Sequence, residues 1–475
     1  MDNPLTVVIL AAGLGTRMKS RKAKVLHRAG GLTLIEHMVA TAAELASPEN
    51  ILVVTGHQAE QVEALLAGTG VRFVRQEEQK GTGHAVMVCR EAAGRGRGLL
   101  LVLYGDCPLL AAATLRRLVE AQRASGAAAT VITTTLDDAG AYGRIVRDAA
   151  GNVAAIVEKK AATAEQLAIR EINSGIYCFR PELLWKHIRE IRPDNPAREF
   201  YLTDIVEVFR RAGHLVAAME HDDARGLLGI NTRAELAEVD RIFRERTVRR
   251  LMEEGVTIEK PETVTIDSPV RIGADTVVEP FTQILGRTTI GEDCRIGACA
   301  IIRDSVMGDR VEVRPFSMIE GSRIESDARI GPYARLRPDS HLEQGALAGN
   351  FVEVKKTRLG AGSKAPHLAY LGDSVIGANV NVGAGTITCN YDGVTKHQTK
   401  IGDGVFVGSN ATLVAPVEVG ANSYVGAGSV ITENVPADAL ALGRARQVNK
   451  PRWAKKRRAK RDDRKGGGMH VPPAQ

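Results

Sequence analysis

The sequence has few aromatic residues, few cysteines and no long apolar run. Phe, Trp and Tyr make up 4% of its 475 residues. The six cysteines form no CxxC pair, so neither a zinc site nor a redox pair is predicted, and reduced thiols in packing positions are the simpler interpretation. No apolar run approaches the ~18 residues that span a bilayer. The opening MDNPLTVVILAAG lacks the basic segment of a secretion signal. These absences predict a soluble, cytoplasmic protein that is not inserted into a membrane.

The excess of positive over negative charge is confined to the C-terminal end of the chain. The formal net charge is +7. Residues 444–465 hold twelve Lys or Arg and two Asp, a net of +10, so the remaining residues sum to −3. Such a tail could contact nucleic acid or anionic lipid. A largely disordered, solvated tail over 444–475 is the simpler prediction, and we expect no specific nucleic-acid partner.

Glycine is abundant, with 48 residues, and a six-residue repeat runs from about Val264 to Val435. Each unit opens with a branched aliphatic residue and places a small residue four positions later, most plainly in 401–431. A period of six fits neither an amphipathic helix nor an alternating strand, but it is typical of a β-helix whose short strands turn corners into one another. The pattern weakens over 343–364, where we expect a break. A polar insertion at 388–400 predicts a loop outside the coil.

The first half alternates apolar strand patterns with helical ones. The predicted strands are 6–10, 51–55, 71–74 and 99–103, and the predicted helices are 33–45 and 59–66. This alternation predicts a Rossmann-like α/β domain with a parallel sheet and helices on both faces. Ligands bind beyond the carboxyl ends of such strands, where Asp106 lies. Capping of the next helix is the alternative role for this residue.

The first strand ends in a Gly-rich turn, LAAGLGTRM at 10–18, which we expect to lead into a helix. Glycine lets backbone N–H groups approach phosphate oxygens, and a helix N-terminus adds positive potential. The turn lacks the Gly-Lys-Ser/Thr of a Walker loop, and Met18 stands in place of the third glycine of the dinucleotide fingerprint. Arg17 and Lys24 follow and suit a triphosphate. A plain tight turn is the alternative interpretation.

These motifs resemble those of the sugar-nucleotide pyrophosphorylase family. The matching segments are LAAGLGTRM, KVLH at 24–27, QEEQKGT at 76–82 and YGD at 104–106. Followed by hexapeptide repeats, they resemble its bifunctional bacterial members, which combine N-acetylglucosamine-1-phosphate uridylyltransferase and glucosamine-1-phosphate N-acetyltransferase activities. One position departs from the pattern, since Ala23 stands where the family usually has proline. This concerns the stiffness of the loop and not the charge on Lys24.

The resemblance implies a site for UTP and the sugar phosphate in the first domain. Arg17 and Lys24 would act as catalytic cations, and Asp106 with Asn231 would hold Mg²⁺. A hard cation suits a few protein oxygens, with the remaining ligands from phosphates and water. The resemblance also implies substrate contacts, with the uracil read by the first three of the following residues: Gln76, Gly81, Thr82, Leu10, Ala11, Ala12, Gly13, Tyr104, Gly105, Gly143, Glu158 and Asn173.

In the repeat region the resemblance implies a left-handed parallel β-helix that binds acetyl-CoA. His367, in APHLAY at 365–370, would take the proton of the attacking amine, since an imidazole titrates near neutral pH. Arg337 and Lys355 would bind the sugar phosphate. Further implied contacts are Tyr370 and Asn381 for the sugar, and Ala384, Asn390, Tyr391, Ser409, Ala427 and Arg444 for acetyl-CoA. The resemblance also implies a homotrimer with sites shared between chains.

Together these patterns predict a nucleotidyltransferase domain at 1–232, a helical linker at 233–254, a β-helix acetyltransferase domain at 255–443 and the basic tail. The predicted reactions are acetyl transfer from acetyl-CoA to glucosamine 1-phosphate, then uridylyl transfer from UTP to N-acetylglucosamine 1-phosphate with Mg²⁺. One alternative is a single-activity sugar-1-phosphate nucleotidyltransferase with a structural β-helix, which would have no need of His367. Another is a trimeric scaffold without catalysis, which would have no need of the predicted metal ligands Asp106 and Asn231.

Overall fold

The computed structural model describes residues 4–94, 98–195 and 197–466. The chain forms two compact units. The first contains the residues up to Arg271 together with Gln283–Thr288, and the second contains Ile272–Thr282 and the residues from Thr289 onward. The linker helix belongs to the first unit, so the proposed boundaries at 232 and 254 do not coincide with the limit of a compact unit. No helix among the described residues is long and apolar enough to cross a membrane.

The first unit is built on a mixed β-sheet. Leu5–Leu10 lies in its middle, parallel to Leu99–Tyr104 and Ile51–Thr55. Glu171–Phe179 runs antiparallel to both of its neighbours along the sheet, so the expectation of a wholly parallel sheet is wrong beyond Leu99–Tyr104. The strand order is Val216–Glu220, Ala129–Thr135, Glu171–Phe179, Leu99–Tyr104, Leu5–Leu10, Ile51–Thr55 and Arg72–Arg75, with Arg144–Arg147 pairing to Glu171–Phe179 and to Val153–Val157.

Helices cover both faces of this sheet, as predicted. Val7 and Ile9 pack into one core and Val8 and Leu10 into the other, because successive side chains of a strand point to opposite faces. The helices of the first unit are Leu34–Ala43, Ala59–Leu66, Thr82–Met87, Ala112–Ser125, Ala164–Leu167, Pro181–His187, Ile205–Arg211 and Arg233–Glu253. The last of these begins at a capping box, in which Thr232 Oγ1 accepts from the Glu235 N–H (3.2 Å).

The Gly-rich turn leads into a single 3-10 turn, Thr16–Met18, and not into the helix that the sequence predicts. Gly15 and Lys19, on either side of it, both have left-handed backbone angles, with φ of 61° and 48°. This conformation ends a right-handed helix after one turn. A second 3-10 turn, Lys24–Leu26, follows. The positive potential expected from a helix N-terminus is therefore supplied here by side chains.

The second unit is a coil of short parallel strands. Each strand pairs with one a single coil later, as Ile301–Arg303 does with Met318–Glu320, and the aliphatic residue of each repeat points inward and is buried. The strands form three walls. The first contains Val277–Val278, Arg295–Ile296, Glu312–Val313, Arg329–Ile330, Leu347–Asn350, Lys364–His367, Asn381–Val382, Phe406–Val407, Tyr424–Val425 and Leu440–Ala441. The second contains Ile301–Arg303, Met318–Glu320, Arg335–Leu336, Glu353–Lys355, Tyr370–Gly372, Ile387–Cys389, Thr412–Val414 and Val430–Ile431. The third contains Thr289–Ile290, Val306–Met307, Arg323–Ile324, His341–Leu342, Arg358–Leu359, Ser374–Ile376, Thr399–Ile401 and Val417–Val419.

The coil is continuous through 343–364, so the expected break there is wrong. Ala348 occupies the inward position of the repeat in this segment, paired with Ile330 of the preceding coil, and is fully buried. Alanine fills such a position without the bulky aliphatic side chain by which the repeat is recognised. The loop predicted at 388–400 is confirmed, since it leaves the coil after Ile387–Cys389 and returns at Thr399–Ile401.

The basic tail contains a helix, Trp453–Gly466, where the sequence predicts largely disordered chain. Residues 467–475 lie outside the described part. The six cysteines are free thiols, four of them buried, in agreement with their interpretation as packing residues.

Candidate active sites

The turn after the first strand is held against the sheet and shaped by one glycine. Leu10, Ala11 and Ala12 are buried, and the Ala11 N–H donates to Val54 O (2.9 Å), whereas Gly13 is exposed. A Cβ on Gly15 would lie 2.6 Å from the Cβ of Lys24. Only glycine therefore allows the turn to pass so close to Lys24.

Four of the predicted polar residues converge at the carboxyl end of the sheet. Lys24 Nζ forms a close ion pair with Asp106 Oδ2 and donates to Asn231 Oδ1 (3.1 Å). Arg17 Nη2 donates to the same Asn231 oxygen (2.7 Å). A Cβ on Gly229 would lie 3.3 Å from both carboxylate oxygens of Asp106, so glycine there leaves the carboxylate accessible. The predicted catalytic cations and metal ligands thus form one cluster.

This cluster fits a divalent metal ion. The oxygens of Asp106 and Asn231 both face one ammonium group, that of Lys24, so they converge on a single point that already holds a cation. One carboxylate and one amide oxygen form the sparse oxygen set with which Mg²⁺ is held beside phosphates. Among the described residues, no group of three or more His, Cys, Asp or Glu side chains could hold a metal ion.

A second part of the site is the amide of Gln76, which is 3% exposed. Its Nε2 donates to Gly81 O (3.1 Å) and to His84 Nδ1 (3.0 Å). Because an amide NH₂ group only donates, His84 Nδ1 holds the lone pair in this bond. Burial, then the positive charge of Lys80, lowers the pKa of the His84 imidazole, which favours the neutral form. Both donor hydrogens of Gln76 are thus used within the protein. Thr82 Oγ1 accepts from Leu202 N (3.0 Å) beside this pair.

The predicted sugar contacts surround Tyr104. Its buried hydroxyl is bonded to the Thr82 side chain, and burial raises its pKa well above the usual value. Asn173 Oδ1 accepts from Gly175 N (2.9 Å) and from Tyr177 Oη (3.0 Å). A Cβ on Gly143 would lie 3.5 Å from Glu158 Oε1, so this turn passes close to that carboxylate.

The neighbours of Glu158 include two residues that the sequence analysis missed. Burial raises the pKa of the Glu158 carboxyl, and a hydrogen bond from Thr203 Oγ1 (3.4 Å) partly offsets it. Burial, then the charges of Glu207 and Glu158, raises the pKa of Asp204 to about 6. Nothing in the local sequence marks either residue, because they reach Glu158 only through the tertiary fold.

In the β-helix, His367 lies at the end of its strand in the first wall and is exposed. Its Nδ1 is 2.5 Å from Oδ1 of Asn350, the residue paired with it in the preceding coil. Because the amide oxygen only accepts, the Nδ1 atom carries the hydrogen and Nε2 is left with a lone pair. The neighbour that orients His367 was missed, since Asn350 lies 17 residues away in sequence.

Two cations lie on the second wall, and a third reaches them from the 388–400 loop. Arg337 and Lys355 occupy equivalent positions of successive coils, with Arg337 N donating to Val354 O (2.9 Å), and Arg337 Nη1 also contacts Glu353 Oε1 (3.1 Å). Lys396, on the loop, touches Lys355, and this contact and the charge of Lys355 lower the pKa of Lys396. Two ammonium groups in contact favour an anion between them. Lys396 was missed because the loop folds back onto the coil.

The remaining predicted residues of this unit form two groups. Asn390 Nδ2 donates to Asp373 Oδ2 and, at 3.4 Å, to Tyr370 Oη, whereas Tyr391 Oη donates to Gly393 O (2.6 Å) within the loop. The other group lies along one corner of the coil, where backbone hydrogen bonds connect successive coils: Ala384, Ser409, Ala427 and Arg444. Arg444 reaches this corner, since its Cδ would lie 4.0 Å from a Cβ on Gly428. Asn381 is half-buried on the first wall and pairs with Lys364.

Comparison with known proteins agrees with this division. Residues 7–258 match the family of MobA-like NTP transferase domains, and residues 269–304 and 398–433 match the bacterial transferase hexapeptide family of six repeats. The chain is 60% identical to a bifunctional protein GlmU from Solibacter usitatus over 459 residues, 96% of this chain and 98% of the relative. It is 50% identical to that of Koribacter versatilis over 98% of this chain and 99% of the relative, and 50% identical to that of an Anaeromyxobacter species over 99% and 96%.

The chain belongs to the bifunctional GlmU family.

Membership in this family makes the protein a transferase with two activities, uridylyl transfer and N-acetyl transfer. It agrees with the resemblance seen in the sequence and with the two groups of polar residues found in separate units. It does not agree with a single-activity nucleotidyltransferase or with a scaffold that has lost catalysis.

Proposed function

We propose that the two units catalyse successive steps, N-acetylation of glucosamine 1-phosphate in the β-helix and uridylylation of the product in the first unit. The observation that carries this proposal is the presence, in separate units, of a carboxylate and an amide that converge on Lys24 and of an oriented imidazole beside paired cations. The exposed setting of His367 suits a diffusing substrate. A cytoplasmic location remains a prediction.

In the first unit, a phosphate oxygen of the sugar 1-phosphate attacks the α-phosphorus of UTP. A new phosphorus–oxygen bond forms, the bond to the bridging α–β oxygen breaks, and pyrophosphate leaves with its electron pair. Mg²⁺ held by Asp106 and Asn231 would neutralise charge on the phosphates. Arg17 and Lys24 provide fixed positive charge, so the work of the protein is positioning and electrostatic stabilisation.

In the β-helix, the amine nitrogen attacks the thioester carbonyl carbon of acetyl-CoA. The carbon–nitrogen bond forms, His367 Nε2 takes a proton from the nitrogen, and the carbon–sulfur bond breaks. The released thiolate then receives that proton. Asn350 holds the Nδ1 hydrogen, which keeps Nε2 as the basic atom. Arg337, Lys355 and Lys396 would bind the sugar phosphate.

The wild-type enzyme tests this proposal directly. Glucosamine 1-phosphate, acetyl-CoA, UTP and Mg²⁺ are supplied together, and free thiol and pyrophosphate are followed separately. We expect thiol release without UTP, and pyrophosphate release from glucosamine 1-phosphate only when acetyl-CoA is present. Release of pyrophosphate at the same rate without acetyl-CoA would contradict the proposed order.

The buried amide of Gln76 makes a specificity prediction. Because its NH₂ group is engaged by Gly81 and His84, only Oε1 remains to accept from the N3–H of uracil, and cytosine has no hydrogen there. Gln76→Ala removes this acceptor, and we expect KM for UTP to rise about fivefold, since one lost hydrogen bond is worth about 1 kcal/mol. KM for UTP should also rise when acid pH protonates His84 Nδ1. Acetyl transfer serves as the control, and an unchanged KM for UTP in the variant would contradict this role.

We further propose a homotrimer, supported by an apolar column on one corner of the β-helix. Its members occupy equivalent positions of the coil and are each at least half exposed: Phe281, Phe316, Tyr333, Phe351 and Leu368. Tyr333 stacks on Phe316 (centroids 5.1 Å apart) and on Phe351 (5.3 Å). The column ends at Leu368, next to His367. The corner group described above begins one coil later, at Ala384. An exposed ladder of this kind is typical of an interface, and a second copy covering it would enclose His367.

Introducing charged side chains into this column is expected to dissociate the trimer. With Tyr333→Arg and Phe351→Arg together, we expect the mass in light scattering to fall to that of one chain and acetyl transfer to fall at least about tenfold, while uridylyl transfer persists. Val306→Arg, an exposed apolar residue of the third wall, is the matched control. An unchanged mass in the double variant would contradict this interface.

A further inference from the structure

The segment that carries Lys24 is an exposed loop with a buried end. Residues Arg21 and Lys22 are exposed, and Ala23, directly before Lys24, is 1% exposed. Within the loop, Lys22 N donates to Ser20 Oγ (3.1 Å). Such a segment has many backbone conformations, and only some of them place the Lys24 ammonium against Asp106 and Asn231.

Gln58 holds this segment from outside. Its Oε1 accepts from Ala23 N (2.7 Å), and its Nε2 donates to Arg21 O (2.8 Å), so one side-chain amide bonds the residues on both sides of Lys22. Gln58 stands immediately before helix Ala59–Leu66, and its own carbonyl accepts from Gln61 N (3.1 Å). The Gln58 side chain, which we call the clamp, is therefore attached to a residue at the start of a helix that packs on the sheet.

The backbone of Gln58 supports the importance of this side chain. Its φ of 56° and ψ of 38° lie in the left-handed region that glycine adopts freely and other residues rarely adopt. A glutamine retained there, with both ends of its amide bonded, indicates that the side chain offsets an unfavourable backbone conformation. Strain of this kind is kept where the surrounding structure depends on it.

We propose that Gln58 is a positioning residue for uridylyl transfer, which fixes the loop so that the Lys24 ammonium meets the phosphates. The inference rests on the proposed uridylyltransferase function of the first unit. It does not place Gln58 in contact with substrate. Its effect is on the turnover rate, since a charge held in place stabilises the transition state better than one that must be ordered during the reaction.

The test uses proline at position 23 as a replacement for the clamp. Ala23 has a φ of −56°, within the range that proline fixes. Gln58→Ala is expected to lower kcat for uridylyl transfer about tenfold, with a smaller change in KM for UTP. Adding Ala23→Pro to Gln58→Ala should restore most of kcat by stiffening the loop. Ala23→Pro alone should lower kcat, because it removes the N–H that Gln58 Oε1 accepts.

Ala23→Pro is thus expected to lower kcat in the wild type and to raise it in Gln58→Ala. This reversal distinguishes a positioning role of Gln58 from a general loss of stability. Gln61→Ala, an exposed glutamine on the same helix, is the matched control, and acetyl transfer by each variant reports on the integrity of the chain. The inference is overturned if Gln58→Ala keeps the wild-type kcat, or if Ala23→Pro lowers kcat equally in both backgrounds.

A second measurement does not depend on the chemistry. Trypsin cleavage after Arg21 or Lys22, followed by mass spectrometry, should be faster in Gln58→Ala than in the wild type and in Gln61→Ala. Equal cleavage rates overturn the clamp even if uridylyl transfer is confirmed. Absence of pyrophosphate release from the wild type would instead refute the proposed function, and the cleavage rates would still decide whether Gln58 holds the loop.

Discussion

Replacing His367 by alanine is expected to lower acetyl transfer by about 10²- to 10⁴-fold, the range in which a general base contributes. The reason is that Asn350 engages Nδ1, so Nε2 is the atom left to accept the amine proton. Release of thiol from acetyl-CoA measures the effect. The unit that holds His367 is separate from the one that holds Asp106, so uridylyl transfer from pre-acetylated sugar phosphate should be unchanged.

The control for this variant is His341→Ala. His341 lies on the third wall of the same coil and pairs with Glu325 (2.8 Å), away from the predicted site residues on the first and second walls. Its loss should leave both reactions near the wild-type rate. If His367→Ala retained a tenth or more of the acetyl-transfer rate, or if it lost both activities with the fold intact, the assigned role of His367 would be wrong.

Asp106→Ala is expected to have the converse result. Uridylyl transfer should fall by at least about 10²- to 10³-fold, because the variant loses a proposed metal ligand and leaves the Lys24 ammonium without its closest counter-charge. Pyrophosphate release with saturating Mg²⁺ measures the loss, and thiol release from acetyl-CoA should continue at the wild-type rate.

Asp222→Ala, at an exposed position of the same unit, is the control for removal of one negative charge. A wild-type rate of pyrophosphate release in Asp106→Ala would refute the metal-binding role. So would an equal loss in Asp106→Ala and in Asp222→Ala, since that result would reflect charge alone.

The elements that could be predicted from the sequence are those whose signal is local. The strands 51–55 and 99–103 are runs of branched aliphatic residues. The helix after Thr232 begins with a capping box that occupies four consecutive residues, 232–235. The direction of Glu171–Phe179 could not be predicted, because a buried strand has the same apolar composition whether it runs parallel or antiparallel. The continuity of 343–364 was missed because alanine gives a weak repeat signal.

The site residues divide in the same way. Asp106 could be selected because it lies in the YGD motif, and Asn231 because the family resemblance implies it. The structure brings both to Lys24. Asn350, Thr203 and Lys396 act through neighbours that are distant in sequence, and no motif marks them. The contact of Lys396 with Lys355 depends on the fold of the 388–400 loop, which the sequence predicts only as an insertion.

The apolar column that ends beside His367 makes the rate of acetyl transfer depend on the protein concentration. If that column is covered only in the assembled protein, dilution below the dissociation constant of the assembly should reduce acetyl turnover per chain and leave uridylyl turnover per chain constant. The ratio of the two specific activities would then vary with enzyme concentration, and in a cell it would follow the abundance of the protein itself.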